Sequence, residues 1–284
     1  MTRLCATVVC FLALTSISAN SQTKAPATPA PSAASAANAA PSPAELRREF
    51  QQKIEHLYYK PSEHGFHGFR CSATPDWDEL YKNVRVDAYL MESLKPALKQ
   101  TQFQVVLGED GASAVSHQLG EPPRSLEVAE RLRTTVDGLD NILAGALQSW
   151  AALSTHSMLP APGDDNYEIE RSDGKYRLRR RGEDSEERMV VDASGRIERV
   201  EESNARFSIV LLPRWEETAE GLILSGYEAD ITSEGASMEK MRVGFAYMEL
   251  RGQRLPQLVT LWMETPQGVL SGPISFSNYK FDDH

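Results

Sequence analysis

The chain has 284 residues, of which 41% are hydrophobic and 25% are charged, as in a globular protein rather than a disordered or fibrous one. Lys and Arg total 30 against 40 Asp and Glu, and this net charge of -10 argues against a nucleic-acid partner, which would need a basic surface or stripe. No apolar run reaches the roughly 18 residues of a membrane span, so we expect no transmembrane segment.

The N-terminal residues have the pattern of a secretory signal peptide. Arg3 precedes an apolar stretch at residues 4–14, and small or polar residues follow, so that cleavage is expected after Ala19 or Ser21. This apolar stretch is too short to span a bilayer as a helix. We therefore expect residues 1–21 to be removed and the protein to be periplasmic or secreted.

Export would leave Cys71 as the one cysteine of the mature chain, because Cys5 and Cys10 lie in the signal peptide. A single cysteine forms no internal disulfide, so the stability must come from a packed core. We expect Cys71 to be buried as a small apolar side chain, and an intermolecular disulfide is the alternative.

Residues 22–42 consist mainly of Ala, Pro and Ser and contain no large apolar side chain. Such a segment cannot bury enough surface to offset the entropy of ordering it, so we predict a disordered tether. The remainder, residues 43–284, shows no internal repeat and no second linker. We interpret it as a single domain.

The N-terminal part of this domain is predicted to be helical. Ser42 and Glu45 flank a proline in the pattern of a capped helix start, and apolar residues follow at spacings of three and four. A Gly- and His-rich loop is expected at residues 64–71. A short helix is predicted from Pro75, and another at residues 87–98.

Two strands are predicted at residues 101–107 and 112–118, followed by the longest helix of the chain at residues 125–154. Apolar side chains, Trp150 among them, recur at every third or fourth position of this helix. The stripe is too apolar to face water, so another element must cover it.

From Tyr167 onward the hydrophobic period changes from 3.6 to 2, and short turns such as Asp173-Gly174 separate about nine strands. Strands joined by short turns are antiparallel neighbours. Charged residues alternate with the apolar ones, so one face of the sheet is dry and needs a cover. The predicted fold is therefore α+β: a curved, half-barrel-like antiparallel sheet of about nine strands or more, wrapped around the long helix, with a helical N-terminal part.

The chain carries no motif of a known catalytic or cofactor site. GxSxG, GxxxxGK[ST] and HExxH are all absent. His64, His67 and Cys71 are close in sequence, but a structural zinc site needs a second ligand pair, which is missing. We therefore predict no catalytic residue, no metal and no cofactor.

The C-terminal run GVLSGPISFSNYKF at residues 268–281 resembles the last strand of the periplasmic lipoprotein carriers and outer-membrane lipoprotein-sorting proteins. Those proteins are half-barrels whose concave side is filled by helices, with a lipid or acyl chain between sheet and helices. The resemblance implies the same architecture and the same class of ligand, and it transfers no individual binding residue.

The preferred hypothesis is an exported binding protein that holds a lipid or acyl chain, such as that of a lipoprotein, between sheet and helix. The expected lining residues come from the long helix and from three strands: Leu143, Leu147, Trp150, Phe207, Ile209, Phe245 and Trp262. The first alternative is an envelope structural or interaction protein without a small ligand, and the second is an enzyme whose groups converge only in space. A continuous apolar cavity of roughly 300 Å³ or more would favour the first hypothesis.

Overall fold

The computed structural model describes residues 41–121, 123–154, 159–160, 163–164, 166–233 and 239–281. The predicted signal peptide and nearly all of the predicted tether lie outside these residues and stay predictions. Among the helices that are described, none is long and apolar enough to cross a membrane. The described residues form an α+β structure built on one antiparallel sheet.

The sheet contains thirteen strands in the described part of the chain, and it is curved but not closed. The strands are β1 (Gly68–Pro75), β2 (Asn83–Val84), β3 (Gln102–Gly108), β4 (Ser113–Gln118), β5 (Glu168–Ser172), β6 (Lys175–Arg181), β7 (Ser185–Val191), β8 (Ile197–Asn204), β9 (Phe207–Thr218), β10 (Gly221–Ser233), β11 (Glu239–Leu250), β12 (Gln253–Thr265) and β13 (Gly268–Lys280). Their order is β4-β3-β1-β13-β12-β11-β10-β9-β8-β7-β6-β5, and β2 pairs with β13. The nine strands from β5 to β13 confirm the predicted meander.

Within the described residues, four α-helices accompany the sheet: α1 (Pro43–Ile54), α2 (Trp77–Leu80), α3 (Ala88–Gln100) and α4 (Leu126–Ser154). The predicted start of α1 is confirmed, because Ser42 N donates to Glu45 Oε2 at 2.7 Å and Glu45 N donates to Ser42 Oγ at 3.3 Å. These two bonds satisfy backbone donors that the first helical turn leaves free. The long helix predicted at residues 125–154 corresponds to α4.

The loop predicted at residues 64–71 is wrong at its C-terminal end, because Gly68–Pro75 forms β1 between β3 and β13. Phe69, Cys71 and Ala73 alternate on its buried face, a short period-2 pattern that two small side chains obscure in the sequence. Burial raises the pKa of the Cys71 thiol to about 12, so it stays protonated at neutral pH. The prediction of a buried, free Cys71 is confirmed.

Helices α1 and α4 pack against different parts of the sheet. Helix α4 runs along β4 and β3 and reaches β10, whereas α1 contacts β5. The ring of Phe50 on α1 lies 5.4 Å from the ring of Tyr176 on β6. After α1, the hydroxyl of Tyr58 donates to Gly195 O and accepts from Ile197 N, both at 2.8 Å, and thereby fixes the chain to the turn before β8. The face of the sheet that carries the buried side chains, such as Phe69 of β1 and Tyr176 of β6, is called the inner face below.

Candidate functional site

The indole of Trp150 lies in a closely packed contact between α4 and the inner face. Phe66 and Phe69 meet it edge-on, with ring centroids at 6.2 and 6.4 Å. Its Nε1 donates to the hydroxyl of Tyr247 at 2.9 Å, and that hydroxyl donates in turn to Leu224 O. A polar side chain can be buried at low cost when all of its donors have acceptors. Trp150 is therefore a structural anchor of the helix.

The cavity beside Trp150 has a volume of only about 10 Å³ and is bordered by Tyr59, Trp215 and Tyr247 among others. That is about the space that one water molecule requires. The space next to Trp150 is thus too small for an acyl chain, although Trp150 is among the residues predicted to line a ligand. Leu143 and Leu147, on the same helix, are fully buried.

A different part of the inner face, on β9 to β11, is packed less completely. Ile209, Leu211, Ile231 and Met241 each retain 6–8% exposure, whereas the neighbouring Val243 retains none. Ile209 is the strand partner of Ile231, and Leu211 and Met241 flank Ala229 of β10 from its two sides. These four side chains form a continuous apolar surface, which we call the inner patch.

Two more of the predicted lining residues lie near the inner patch. Phe207 is half-buried and precedes Ile209 by two positions, so it lies on the same face of β9. Phe245 is 8% exposed on β11, with its ring 6.2 Å from that of Tyr227. The structure thus places Phe207, Ile209 and Phe245 on the inner face, as the sequence predicted.

The prediction for Trp262 is wrong, because its side chain lies on the opposite, outer face. Val259 and Leu261 are buried instead, opposite Phe245 and Val243 of β11. The Arg242 guanidinium lies 4.6 Å from the centroid of the half-exposed Trp262 ring. Alternate side chains of β12 point to opposite faces. The aliphatic Val259 and Leu261 face the core, while the indole of Trp262 stacks on the Arg242 guanidinium at the surface.

Sequence reasoning missed Leu211, Ile231 and Met241 as candidate lining residues. Ile231 and Met241 alternate with polar residues, so their period-2 signal was present in the sequence, whereas Leu211 lies between Val210 and Leu212 and gives no such signal. What the signal lacked was the distinction between a fully buried side chain such as Val243 and one that retains 6–8% exposure. That distinction depends on where the helices lie.

A row of charged residues continues the inner patch across β8, β7 and β6. Glu202 is the strand partner of Ile209, Glu187 is the partner of Glu202, and Arg180 is the partner of Glu187. Arg180 pairs with Glu187 at 3.3 Å and with Asp164 at 3.3 Å. Along this row the inner face thus changes from apolar to acidic within one strand spacing, whereas the adjacent row of Val200, Met189 and Leu178 stays apolar.

Burial raises the pKa of both glutamates in this row. For Glu187 the desolvation is opposed by Arg180 and reinforced by Glu202, and for Glu202 desolvation acts alone. Two carboxylates on adjacent strands also repel each other when both are ionised. Sequence reasoning missed this pair, since only the register of β7 against β8 brings the two residues together.

A larger groove of about 410 Å³ lies on β5 to β8 and is lined largely by outer-face charges, including Glu168, Arg177 and Glu201. Glu186 pairs with both Arg179 and Arg188 next to it. Arginines and carboxylates therefore alternate along the groove, and its apolar lining is limited to Ile169, Leu178, Met189 and Val190.

The histidines near the start of the domain have separate surroundings. His64 stacks on Tyr59 with ring centroids 4.8 Å apart, and His67 Nδ1 faces Glu109 Oε1 at 3.3 Å. Cys71 is buried in β1. These three side chains therefore have different neighbours despite their closeness in sequence.

Comparison with known proteins adds no relative to this description. No family model matches the chain, and no curated protein or solved structure matches it.

Proposed function

We propose that this chain is an exported binding protein for an amphiphile, with the apolar part of the ligand lying on the inner patch. The single observation that carries the proposal is that four adjacent apolar side chains, Ile209, Leu211, Ile231 and Met241, each retain 6–8% exposure beside the fully buried Val243. An apolar surface that its own chain covers incompletely favours a ligand that removes it from water.

The architecture supports the same proposal. A curved, unclosed sheet with helices on one face corresponds to the half-barrel expected from the resemblance to the lipoprotein carriers. Residues 268–281 carry this resemblance, and nearly all of them belong to β13, which pairs with β1 and β12 inside the sheet. In this proposal the sheet wraps around α4, and the ligand lies on the inner patch rather than beside the fully buried Leu143, Leu147 or Trp150.

The matched pair Leu211→Trp and Leu212→Trp tests the site. The two residues are neighbours on β9, but Leu211 belongs to the inner patch and Leu212 is 37% exposed on the outer face. We expect wild type to bind a fluorescent fatty-acid probe, Leu211→Trp to bind it at least tenfold more weakly, and Leu212→Trp to bind it like wild type. Overpacking costs about 1–3 kcal/mol, so far-UV circular dichroism should confirm that both variants fold.

Two results would contradict this proposal. The first is a wild-type protein that binds no acyl probe and carries no lipid in native mass spectrometry after purification from its own host. The second is equal probe binding by both variants, because the ligand would then lie away from the inner patch.

The second candidate function, an envelope interaction protein, is favoured by exposed apolar side chains at two helix starts. Tyr89 in the first turn of α3 is 81% exposed, and Leu126 at the start of α4 is 74% exposed. Such side chains suit contact with a protein partner. Capture of a specific envelope protein by wild type but not by Tyr89→Ser/Leu126→Ser, with no effect on the acyl probe, would favour this candidate.

Export itself is tested by N-terminal sequencing of the protein from the culture medium or the periplasmic fraction. The expected first residue is Asn20 or Gln22. Material that begins with Met1 would contradict the proposed localisation.

A further inference from the structure

A histidine on the edge strand β4 lies between two aspartates of α4. His117 Nδ1 is 2.6 Å from Asp140 Oδ2, and His117 Nε2 is 3.9 Å from Asp137 Oδ1. One potential ligand atom from each residue lies within 4.8 Å of the other two. The aspartates are three positions apart, so they share one helix face. Sequence reasoning predicted no metal and did not single out these residues, because strand and helix meet only in the fold.

The chemistry of the ring leaves one nitrogen without a suitable partner. An ionised carboxylate only accepts hydrogen bonds, so Nδ1 carries the hydrogen that is donated to Asp140. In the neutral ring Nε2 then carries a lone pair, and it faces the carboxylate of Asp137. The lone pair of Nε2 and the carboxylate of Asp137 repel each other, and a positive charge between them would remove this repulsion. The side chain of His117 is only 17% exposed, which limits the relief that water can give.

The described residues around His117 provide no such positive charge. Among the described residues, His117 is the one ion-pair partner of Asp137 and Asp140. The second oxygen of Asp140, Oδ1, is buried and has no hydrogen-bond partner in the described part of the chain. An unsatisfied buried carboxylate oxygen is costly, and a cation or its bound water would remove that cost.

We propose that His117, Asp137 and Asp140 form a binding site for a divalent transition-metal ion of the Zn²⁺ class. His117 Nε2 and the Asp137 carboxylate bind the ion, and Asp140 holds the imidazole through Nδ1, which is the usual outer carboxylate of a zinc-bound histidine. Zinc bonds to nitrogen and oxygen add up to about 4.2 Å, so one ion can bridge the 3.9 Å between Nε2 and Oδ1. Water fills the remaining positions. The mixed nitrogen and oxygen donors favour this class over Ca²⁺ or Mg²⁺.

A metal ion at this position would fasten β4, which ends the sheet, to α4. Besides the histidine, a hydrogen bond from Ser113 Oγ to Ala144 O at 2.6 Å already connects the two elements. The ion would therefore slow amide exchange in β4 more than in distant strands such as β7. This readout does not depend on the proposed function.

The test is isothermal titration calorimetry of tag-free full-length mature protein with ZnCl₂, and with MgCl₂ as the comparison ion. We expect one Zn²⁺ per chain in wild type, and no measurable heat of binding with Mg²⁺. Asp137→Asn should bind at least tenfold more weakly, and His117→Gln should lose binding. Asp137 is 65% exposed, so its substitution leaves the core intact. Asp140→Asn should weaken binding about 10–100-fold, as for other outer carboxylates.

The control variant is His67→Gln, which removes the other described pair of a histidine with a carboxylate, that with Glu109. It should bind Zn²⁺ like wild type. The proposal is overturned if wild type binds no Zn²⁺, if Asp137→Asn and His117→Gln bind as tightly as wild type, or if His67→Gln is the variant that loses binding. Zn²⁺-induced protection of β4 amides in wild type, absent in Asp137→Asn, would support it independently.

Discussion

The indole Nε1 of Trp150 donates a hydrogen bond to the hydroxyl of Tyr247 across the contact between α4 and β11, over 2.9 Å. The same hydroxyl donates to the carbonyl of Leu224 on β10. One phenol thus connects a helix and two neighbouring strands. Both donors in this series of two hydrogen bonds have an acceptor. Hydrogen-bond geometry therefore fixes the position of α4 on the inner face, in addition to apolar contact.

Replacement of Tyr247 by Phe should lower the free energy of unfolding by about 1–3 kcal/mol. The change leaves the Trp150 indole N–H and the Leu224 carbonyl without their shared partner in a buried position. Urea unfolding followed by far-UV circular dichroism measures the effect. Tyr89→Phe is the matched control, since this tyrosine is 81% exposed, and it should unfold like wild type.

The two tryptophans on opposite sides of the sheet should respond differently to truncation. Trp150→Ala removes a buried indole from a close-packed contact and should cost about 3–5 kcal/mol. Trp262→Ala removes a half-exposed ring and its contact with Arg242, and should cost about 1 kcal/mol or less. Urea unfolding of both variants tests the ranking. A small cost for Trp150→Ala together with altered acyl-probe binding would instead place the ligand next to this indole.

The carboxylate row on the inner face should make stability depend on pH in a defined direction. Burial raises the folded-state pKa of Glu202, while the unfolded-state value is about 4.3. The folded state therefore holds the proton more tightly, so this group's stabilising contribution is complete below about pH 4.3 and is lost as pH rises through the folded-state pKa. Glu202→Gln should be more stable than wild type at pH 7, and this advantage should disappear toward pH 4.

The measurement is the difference in melting temperature between Glu202→Gln and wild type across that pH range. Glu168→Gln on the exposed outer face controls for the loss of one negative charge from an acidic protein. Glu187 and its partner Arg180 are unchanged in both variants. A difference that grew as the pH fell would contradict the raised pKa of Glu202.

The first position of β10, Gly221, should tolerate no side chain. This residue has a φ of +116°, and a Cβ atom there would lie 2.9 Å from backbone atoms of Leu57, Tyr58 and Tyr59. The same segment is bonded to β10 through Tyr59 N to Leu222 O at 3.0 Å and Leu222 N to Leu57 O at 2.8 Å.

Gly221→Ala should therefore destabilise the protein more than Gly174→Ala. Gly174 also has a positive φ, of +75°, but no atom lies within 4 Å of its added Cβ. An alanine in the left-handed region costs roughly 1–2 kcal/mol by itself, so Gly174→Ala measures that cost without a clash. Equal melting temperatures for the two variants would show that the segment after α1 moves aside.

Much of the secondary structure could be predicted because its signals are local. The capping pattern at Ser42 and Glu45, the apolar stripe of residues 125–154 and the alternation after Tyr167 each depend on residues close in sequence. By contrast, β1 escaped prediction, since its partners β3 and β13 are distant in the chain and its own buried face has two small side chains.

The candidate sites show the same contrast between local sequence signals and contacts that depend on the fold. The sequence by itself determined the antiparallel meander and the apolar character of positions such as Ile209 and Phe245, and it is the sole basis of the export prediction. Only the tertiary structure decided that Trp262 faces outward and that Glu187 lies against Glu202. It also decided that His117 lies between two aspartates of a helix. The physical reason is that periodicity fixes which side chains share a face, whereas strand register and helix placement fix which side chains meet across elements.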